Sequence, residues 1–447
     1  MPRSVYRPPF HRRILPWVFV AVFLALAPAL IFYTSGYRFN PKKVGIERNG
    51  TLIADSRPSG ARISLNGTAT RRVTPSTIQD LAPGPYTVRY ERDGYFAWEK
   101  TLDVRAEQVT FADNVRLWRT GDARLVTEGR VLALKTTSAQ NVAAALIATT
   151  TGAEMRFLRG GSLSEQFTPV GLSTSTTPTL AWNDGGNSVL IDYETPDDGR
   201  DAWVSSDLFG PSQGPLQPAD YIWDGGTLVS HEDGIRTVIN PRRQTLERVE
   251  LPVGVLAEAD AFDLLTNTST GATLIQPRSI VRRVYELPSG DWNIAGTGGP
   301  FTLLRSPAPN GAGRDGDLWL AVKQNGEPEP ETAQGSRPTW NNAGPSSRAV
   351  VVHQNELWLW APGESPRLLL RRSEPFVDAV WYRNGLHLFV AIHDRVFALE
   401  LDDRGGFVIT DVATGFENIR ALAYSENAIY IAGKKDGVEG LYERVIE

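Results

Sequence analysis

Tryptophan residues recur in the C-terminal part of this chain at a nearly constant interval. Trp182 and Trp223 are 41 residues apart, as are Trp340 and Trp381, and the 117 residues between Trp223 and Trp340 divide into three steps of 39. After each tryptophan comes a polar turn and then an apolar, strand-like run. A period of about 40 residues with about four strands in each unit is typical of a β-propeller.

The repeat predicts an all-β propeller over residues 119–447 with eight blades, and seven blades as the alternative because residues 123–170 match the repeat least well. The last unit, from Ile419 to Glu447, contains only three strand-like runs. We expect Arg124 to Thr127 to supply its fourth strand, so that strands from both ends of the domain close the ring and remove the open edge.

Turn signals alternate with short strand-like runs in residues 50–118. Asn66-Gly67 suits a hairpin turn that needs positive φ, and Tyr86, Val88 and Tyr90 share one face of a strand. The segment resembles the PEGA domain family at Pro58, Ser59, Gly60 and Ala61, Leu65-Asn66-Gly67, Thr74-Pro75, Leu81, Pro83-Gly84, Tyr86, Gly94-Tyr95 and Trp98.

Ser59 departs from the motif of that family, which has glutamate at this position. Because the position lies in a turn, serine suits it well. The resemblance implies a small extracytoplasmic β-sandwich that acts as a surface or scaffold module. It brings no catalytic residues to this chain.

An apolar run precedes this segment. Residues 14–33 are twenty consecutive residues without a charge, about the length that crosses a bilayer as a helix. Arg12 and Arg13 flank its start, and Trp17 and Tyr33 lie near its two ends, where interfacial anchors occur. The predicted organisation is a cytoplasmic tail (1–13), one transmembrane helix (14–34), a juxtamembrane linker (35–49), the PEGA-like domain (50–118) and the propeller (119–447).

A cleaved secretory signal is the alternative to this anchor, since Ala25-Leu26-Ala27 is similar to a signal cleavage site. Pro28 directly after that site and the length of the run favour an uncleaved span. Basic residues are equally numerous on both sides of the run, so the predicted orientation depends on Arg12 and Arg13 and on the family resemblance. We expect a cytoplasmic N-terminus and an extracytoplasmic body at the cell membrane.

Charge and cysteine content limit the partners. The chain carries a net charge of −5, and residues 1–48 hold eight basic residues but only one acidic residue, which leaves −12 for the rest. An acidic body argues against nucleic acid as a partner. Because the chain has no cysteine, disulfides, thiol catalysis and cysteine-ligated metals are excluded.

Motifs for catalysis or metal binding are weak. Gly210 to Gly214 fits the G-x-S-x-G pattern around Ser212, but the proline-containing sequence after it does not start a helix, as a nucleophile elbow requires. The acidic turns Asp197–Asp201 and Asp315–Asp317 lack EF-hand spacing. The histidines show no metal-binding spacing and are His11, His231, His353, His387 and His393.

Two further patterns have ordinary structural explanations. Asn49, Asn66 and Asn267 begin glycosylation sequons, but Asn-Gly is also typical of hairpin turns. Trp358 and Trp360 lie on one side of a strand, where stacked aromatic rings could bind sugars, although packing between blades is the favoured role.

These observations predict a non-enzymatic binding or scaffolding protein that contacts a protein partner at the cell surface or envelope, without a cofactor or metal. A cell-wall glycan-binding protein is the alternative. A glycan- or peptide-processing enzyme with its site in the propeller channel is the third reading, for which the sequence supplies no converging catalytic set.

Overall fold

The fold is described by a computed structural model. It covers residues 10–34, 37–40, 45–137, 142–150, 152–159, 162–163, 168–170, 178–183, 185–194, 200–205, 212–214, 216, 219–259, 262–268, 271–276, 283–288, 290–298, 301–307, 316–323, 332–341, 347–361 and 364–447. The chain forms two compact units. The first contains Met1–Trp118 and Asp402–Val408, and the second contains Arg119–Leu401 and Ile409–Glu447.

The first unit begins with helix α1 (Phe10–Thr34), which includes the apolar run of residues 14–33. A two-stranded antiparallel sheet follows, formed by β1 (Tyr37–Asn40) and β2 (Gly45–Arg48). Within the described residues, no helix combines the length and the apolar character that a membrane crossing requires. The structure therefore gives no support to the transmembrane helix predicted over residues 14–34.

Seven strands make up the rest of the first unit. One sheet has the order β6-β3-β9 and the other has the order β5-β4-β7-β8. The strands are β3 (Gly50–Arg57), β4 (Arg62–Leu65), β5 (Thr68–Val73), β6 (Ser76–Leu81), β7 (Gly84–Glu91), β8 (Trp98–Val104) and β9 (Val109–Arg116).

Both sheets contribute side chains to one core. Leu52 from the first sheet and Val88 and Tyr90 from the second belong to the same buried cluster, as the alternation in the sequence predicts. The ring of Tyr90 stacks on Trp98 at 4.9 Å between centroids. Its hydroxyl donates a hydrogen bond to the carbonyl oxygen of Ala112, 2.8 Å away, so the polar end of this buried side chain is satisfied.

The turns of this unit lie where the sequence predicts them. Asn66 and Gly67 have φ of 49° and 76° between β4 and β5, the left-handed region that favours this pair. The segment from Pro58 to Ala61 connects β3 to β4, and Gly60 has φ of 85°. Ala61 is buried in the core, whereas Ser59 is exposed.

The second unit contains eight antiparallel sheets in its described residues, which we call blades 1 to 8. Blade 1 contains β11 (Val131–Thr136), β12 (Ala143–Thr149), β13 (Gly152–Arg159), β14 (Ser162–Leu163) and β15 (Thr168–Val170). Blade 2 contains β16 (Thr179–Trp182), β17 (Val189–Glu194), β18 (Arg200–Ser205) and β19 (Ser212–Gln213). Blade 3 contains β20 (Ile222–Asp224), β21 (Thr227–Glu232), β22 (Ile235–Asn240) and β23 (Thr245–Glu250), and blade 4 contains β24 (Val255–Ala259), β25 (Phe262–Thr268), β26 (Gly271–Gln276) and β27 (Arg283–Glu286).

Blades 5 to 7 continue the same pattern. Blade 5 contains β28 (Asn293–Gly298), β29 (Phe301–Ser306), β30 (Leu318–Lys323) and β31 (Thr332–Gln334). Blade 6 contains β32 (Thr339–Trp340), β33 (Ala349–His353), β34 (Glu356–Trp360) and β35 (Arg367–Arg371). Blade 7 contains β36 (Asp378–Trp381), β37 (His387–Ala391), β38 (Val396–Glu400) and β39 (Ile409–Ala413).

Blade 8 combines strands from both ends of the unit. It has the order β10-β42-β41-β40, from β40 (Phe416–Ser425), β41 (Ala428–Lys435), β42 (Val438–Val445) and β10 (Arg124–Glu128). Arg124 lies opposite Glu443 in the register, and the two side chains form an ion pair of 2.7 Å. The eight blades and the closing strand at Arg124 to Thr127 confirm the arrangement predicted from the repeat.

A buried arginine fixes this closure. Arg444 of β42 is only 2% exposed, and its guanidinium donates to three backbone carbonyls. The acceptors are Val412 at the end of blade 7, at 2.8 Å, Arg119 at the start of the unit, and Val445. Burial lowers the pKa of Arg444, although the nearby Asp122 acts in the opposite direction. This side chain therefore joins the first and last segments of the propeller.

Replacing Arg444 with methionine should open the closure. The substitution keeps most of the apolar volume but leaves buried carbonyl oxygens without donors, so we expect the free energy of unfolding to fall by about 2–4 kcal/mol. Urea unfolding of the propeller followed by tryptophan fluorescence measures this change. Arg383→Met is the control, because Arg383 forms a partly exposed pair with Glu447 and should cost about 1 kcal/mol or less. Equal stability of the two variants would show that closure does not depend on Arg444.

Candidate functional site: the centre of the propeller ring

The first strand of each blade lies nearest the ring centre, and tryptophan side chains link these strands. In three blades the indole N–H donates a hydrogen bond to a backbone carbonyl on the first strand of the preceding blade. The pairs are Trp182 to Lys135 at 3.1 Å, Trp223 to Ala181 at 2.8 Å and Trp381 to Thr339 at 2.6 Å.

The spacing of these bonds accounts for the tryptophan repeat. The acceptors Ala181 and Thr339 directly precede Trp182 and Trp340 in the sequence, so Trp223 and Trp381 each bond to the residue before the previous tryptophan of the series. A donor and acceptor 42 residues apart therefore reproduce the interval of 41 residues between tryptophans.

Other side chains connect three more blade junctions at the same level of the ring. Arg337 donates a hydrogen bond to the carbonyl oxygen of Ala295 at 3.2 Å. The carboxylate of Asp378 accepts a hydrogen bond from the N–H of Leu422 at 2.9 Å. The hydroxyl of Thr136 accepts a hydrogen bond from the N–H of Tyr424 at 3.0 Å. We call these six contacts the inner ring of hydrogen bonds. It joins blade 5 to 6, 6 to 7, 7 to 8, 8 to 1, 1 to 2 and 2 to 3.

Asp378 and Arg337 both act electrostatically on Lys135, and we call these three charged side chains the central charge cluster. Lys135 lies on β11 of blade 1, Asp378 on β36 of blade 7 and Arg337 just before β32 of blade 6. Asp378 and Thr136, the neighbour of Lys135, bond to N–H groups two residues apart on β40, about 7 Å along the strand. Blades 1 and 7 are therefore both joined to the first strand of blade 8.

The electrostatics of the cluster centre on Lys135. Burial lowers the pKa of its ammonium group, Asp378 acts to raise it, and Arg337 lowers it further. The side chain is partly buried and makes no hydrogen bond or ion pair with a described residue. The Asp378 carboxylate already accepts the N–H groups of Ala379 and Leu422. The cluster thus carries two cationic groups and one anionic group whose oxygens are engaged.

The predicted tryptophan anchors occupy matching places in the fold. Trp182, Trp223, Trp340 and Trp381 all lie on the first strand of their blades. Trp223 and Trp381 are buried, with 6% and 1% exposure, whereas Trp182 and Trp340 are partly buried. Large apolar side chains at these places pack between neighbouring blades, and Trp182 packs with the core that blades 1 and 2 share.

Ser212 lies at the outer strand of blade 2, opposite Ser205, and residues 206–211 before it lie outside the described residues. Asp317 of the second acidic turn is buried and pairs with Arg305 at 2.5 Å. The residues 197–199 and 315 of the two acidic turns lie outside the described residues.

Among the residues that the structure describes, one group of side chains has donor atoms close enough for a cation. Ligand atoms of Glu374, His393 and Asp394 lie within 4.8 Å of one another. The Asp394 carboxylate also accepts a hydrogen bond from Arg395 at 3.0 Å, which competes with an ion. His387 is buried at the start of β37, with Nδ1 3.1 Å from the side-chain nitrogen of Asn384, as expected for a structural histidine.

Trp358 and Trp360 belong to the core between blades 5 and 6. Trp360 is fully buried, and its ring centroid lies 5.8 Å from that of Trp340. Trp358 is partly buried and packs against the same cluster. This pair therefore serves packing, the role that the sequence favours over sugar binding.

Residues 49–117 match the PEGA domain family. This match covers the segment that the sequence identifies by resemblance, and the two-sheet unit is the fold of that segment. No curated protein sequence matches the chain significantly.

Several solved propellers resemble the chain in structure. A Dos1 propeller has a TM-score of 0.43 at 11% identity, covering 73% of this chain and 95% of that one. The Cps50 (Swd1) β-propeller domain of Myceliophteria thermophila has a TM-score of 0.41 at 11% identity, covering 73% and 100%, and Sqt1 of Saccharomyces cerevisiae has 0.38 at 8%, covering 73% and 98%. Since these scores lie below 0.5, the propeller assignment rests on the sheet topology of this chain.

Sequence reasoning missed the central charge cluster. Lys135 and Arg337 lie in the weakest repeat and in a turn, and neither belongs to a motif. One signal was available: Asp378 lies three residues before Trp381, at the start of a first strand. Identifying which first-strand positions face the axis requires the blade register.

The indole hydrogen bonds predict a difference between two buried tryptophans. Trp381→Phe removes the bond to Thr339, whereas Trp360→Phe removes an indole N–H that has no acceptor among the described residues. Both changes lose a similar apolar volume, so we expect Trp381→Phe to cost about 1–2 kcal/mol more in the free energy of unfolding. Urea unfolding of both variants measures the difference, and equal losses would contradict a stabilising role for the inner ring.

The lowered pKa of Lys135 predicts how stability depends on pH. Between the folded pKa and the ordinary lysine pKa of about 10.4, the unfolded chain binds a proton that the folded chain does not. Stability from this group therefore rises with pH across that window, by at most about 1.4 kcal/mol per pH unit. Lys135→Met should remove this rise and stabilise the protein near pH 7.

Thermal unfolding of the wild type and of Lys135→Met from pH 6 to pH 10 measures this effect. Lys434→Met is the control, since the hydrogen bond with Glu417 raises the pKa of Lys434 and gives the opposite sign. The stabilisation from Lys434 is lost as pH rises through its folded pKa. A wild type and a Lys135→Met variant with the same pH profile would show that the amine is solvated like a surface lysine.

Proposed function

We propose that this chain is a non-enzymatic binding or scaffolding protein that uses its propeller to hold a protein partner. It is anchored by α1 in the cell membrane, with its N-terminus in the cytoplasm and its β-rich body outside. This proposal joins three observations: the PEGA match over residues 49–117, the propeller and the apolar helix.

The central charge cluster is the observation that carries the binding role. Three charged side chains from blades 1, 6 and 7 are held by strands whose positions the inner ring of hydrogen bonds fixes. Polar groups on a rigid frame bind without a large cost for ordering them. A ring that holds charged groups of several blades in fixed positions is suited to recognition.

The membrane location has support from the surface of α1. Its large apolar side chains are exposed at 46% or more, from Leu15 to Ile31, and Trp17 reaches 75%. A helix with so much exposed apolar surface is stabilised by an apolar environment. The resemblance of residues 50–118 to an extracytoplasmic family supports the same side of the membrane for the body.

Crosslinking tests both parts of the proposal. A photoreactive phenylalanine analogue is introduced separately at Asn384 and at His393, exposed residues in turns at opposite ends of β37, and at Leu246 on the outer strand of blade 3 as the control. In carbonate-washed membranes of the native host, we expect the full chain in the pellet and one discrete protein adduct from one of the two turn positions.

Different outcomes address the two parts separately. A mature N-terminus at residue 28, or the full chain in the carbonate supernatant, would contradict the anchor. Adducts from neither turn position, or the same adduct from Leu246, would contradict a binding face on the propeller. An adduct at only one turn identifies which face of the ring the partner occupies.

A further inference from the structure

Residues Asp402–Val408 form a segment that we call the strap. The strap belongs to the first unit, although β38 and β39 on either side of it in the sequence are strands of blade 7. We propose that the strap occupies a peptide-binding site of the first unit, and that this site accepts a segment of another protein with an aspartate followed by glycine. This inference goes beyond the proposed function, because it concerns the PEGA-like unit rather than the propeller.

Lys100 is the polar centre of this site. It lies on β8, the end strand of its sheet, on the face that points into the unit. Trp98 and Leu102, two positions to either side of it, belong to the buried core cluster, and the Lys100 side chain is itself only 1% exposed. An ammonium group buried to this extent needs a polar or anionic partner, because desolvation disfavours an unpaired charge.

The strap supplies that partner. The ammonium of Lys100 donates a hydrogen bond to the backbone carbonyl oxygen of Asp402 at 2.7 Å, and its nitrogen lies 3.2 Å from the carboxylate of the same residue. Burial acts to raise the pKa of Asp402, but hydrogen bonds from Arg404 and the charge of Lys100 lower it to about 2. The carboxylate is therefore ionised at neutral pH, so one residue offers Lys100 both a full negative charge and a carbonyl dipole.

Two other residues of the strap complete the fit. A methyl group on Gly405 would overlap the carbonyl oxygen of Thr101 on β8, so glycine is required for this close approach, and its φ of 67° also favours glycine. Val408 packs against the apolar core of the unit. The site therefore recognises an aspartate, a glycine three residues later and an apolar side chain three residues after that glycine.

The fold of the unit is complete without the strap. The family match covers residues 49–117, and the buried residues of the core cluster all lie between Leu52 and Leu117. Among the described residues, which include the whole strap, Asp402–Val408 adds no strand to either sheet. The strap thus binds to a finished frame as a ligand does. A segment of another chain must compete with it, and attachment to the same chain gives the strap a high effective concentration.

Displacing the strap tests the site. Gly405→Ala places a methyl group against Thr101, whereas a methyl group on Gly406 meets no atom within 4 Å. Because Gly406 also has a positive φ, of 96°, Gly406→Ala is the matched control for backbone strain. In the full chain in detergent, we expect amide hydrogen exchange of residues 403–408 to be at least about tenfold faster in Gly405→Ala than in Gly406→Ala.

A peptide shows whether the site accepts a second chain. An end-blocked fluorescent peptide with the sequence of residues 401–409 is titrated with each variant, and binding is followed by fluorescence anisotropy. We expect it to bind Gly405→Ala at least about tenfold more tightly than the wild type or Gly406→Ala, because the strap no longer competes. The same peptide with asparagine in place of Asp402 should bind Gly405→Ala at least about tenfold more weakly, since it lacks the charge-assisted hydrogen bond.

Substitution of the lysine assigns the binding to this site. Lys100→Met combined with Gly405→Ala should abolish peptide binding, because methionine keeps the apolar stem but has no ammonium group. Lys434→Met combined with Gly405→Ala is the control and should leave binding unchanged, since Lys434 pairs with Glu417 at the surface. Asp402→Asn in the full chain is a second variant that releases the strap without added bulk, and it should also gain peptide binding.

Three outcomes would overturn this inference: equal hydrogen exchange in the two glycine variants, no peptide binding to either Gly405→Ala or Asp402→Asn, or binding that Lys100→Met leaves intact. Thermal unfolding of each variant shows whether a loss of binding comes from a loss of fold. A gain of binding that requires both the aspartate of the peptide and Lys100 cannot arise from misfolding. Crosslinks from the turns of blade 7 test the proposed function separately, and they do not depend on the strap.

Discussion

The hydrogen bond from an indole N–H to the first strand of the preceding blade is the interaction on which the propeller depends. Each blade is a separate four- or five-stranded sheet, so nothing in its own backbone ladder fixes its position relative to the next. The side-chain bonds of Trp182, Trp223 and Trp381 supply that connection at the ring centre, and the apolar rings fill the space between blades. At these three junctions one residue type thus provides both packing and registration, because an indole combines a large apolar surface with a single donor.

Closure of the ring uses a different solution. The last blade takes its outer strand from the start of the domain, and Arg444 satisfies backbone carbonyls on the adjoining segments. A propeller that ended on three strands would leave an open edge able to pair with another chain. Joining the two ends also means that blade 8 forms only when the whole domain has been synthesised. Ring closure and the completion of blade 8 are therefore the same step.

The central charge cluster depends on both features. Lys135 lies in the first blade, Asp378 in the seventh and Arg337 ahead of the sixth, so their electrostatic influence on one another requires a closed ring. Their charges are held by strands that are hydrogen-bonded to one another, which keeps a partly buried amine near two other charged groups. Burial and the charge of Arg337 both lower the pKa of the Lys135 amine, whereas Asp378 acts to raise it.

The sequence by itself determined the repeating architecture. A 41-residue tryptophan interval, a three-strand last unit and turn pairs such as Asn66-Gly67 are local signals, and local signals specify strands, turns and blade number. The exposed or buried state of each tryptophan, the bonds between blades and the electrostatic influence of Arg337 and Asp378 on Lys135 were decided only by tertiary structure. Contacts between residues more than 200 positions apart, such as Thr136 and Tyr424, leave no periodic trace in the sequence, because they follow from how eight units close around one axis.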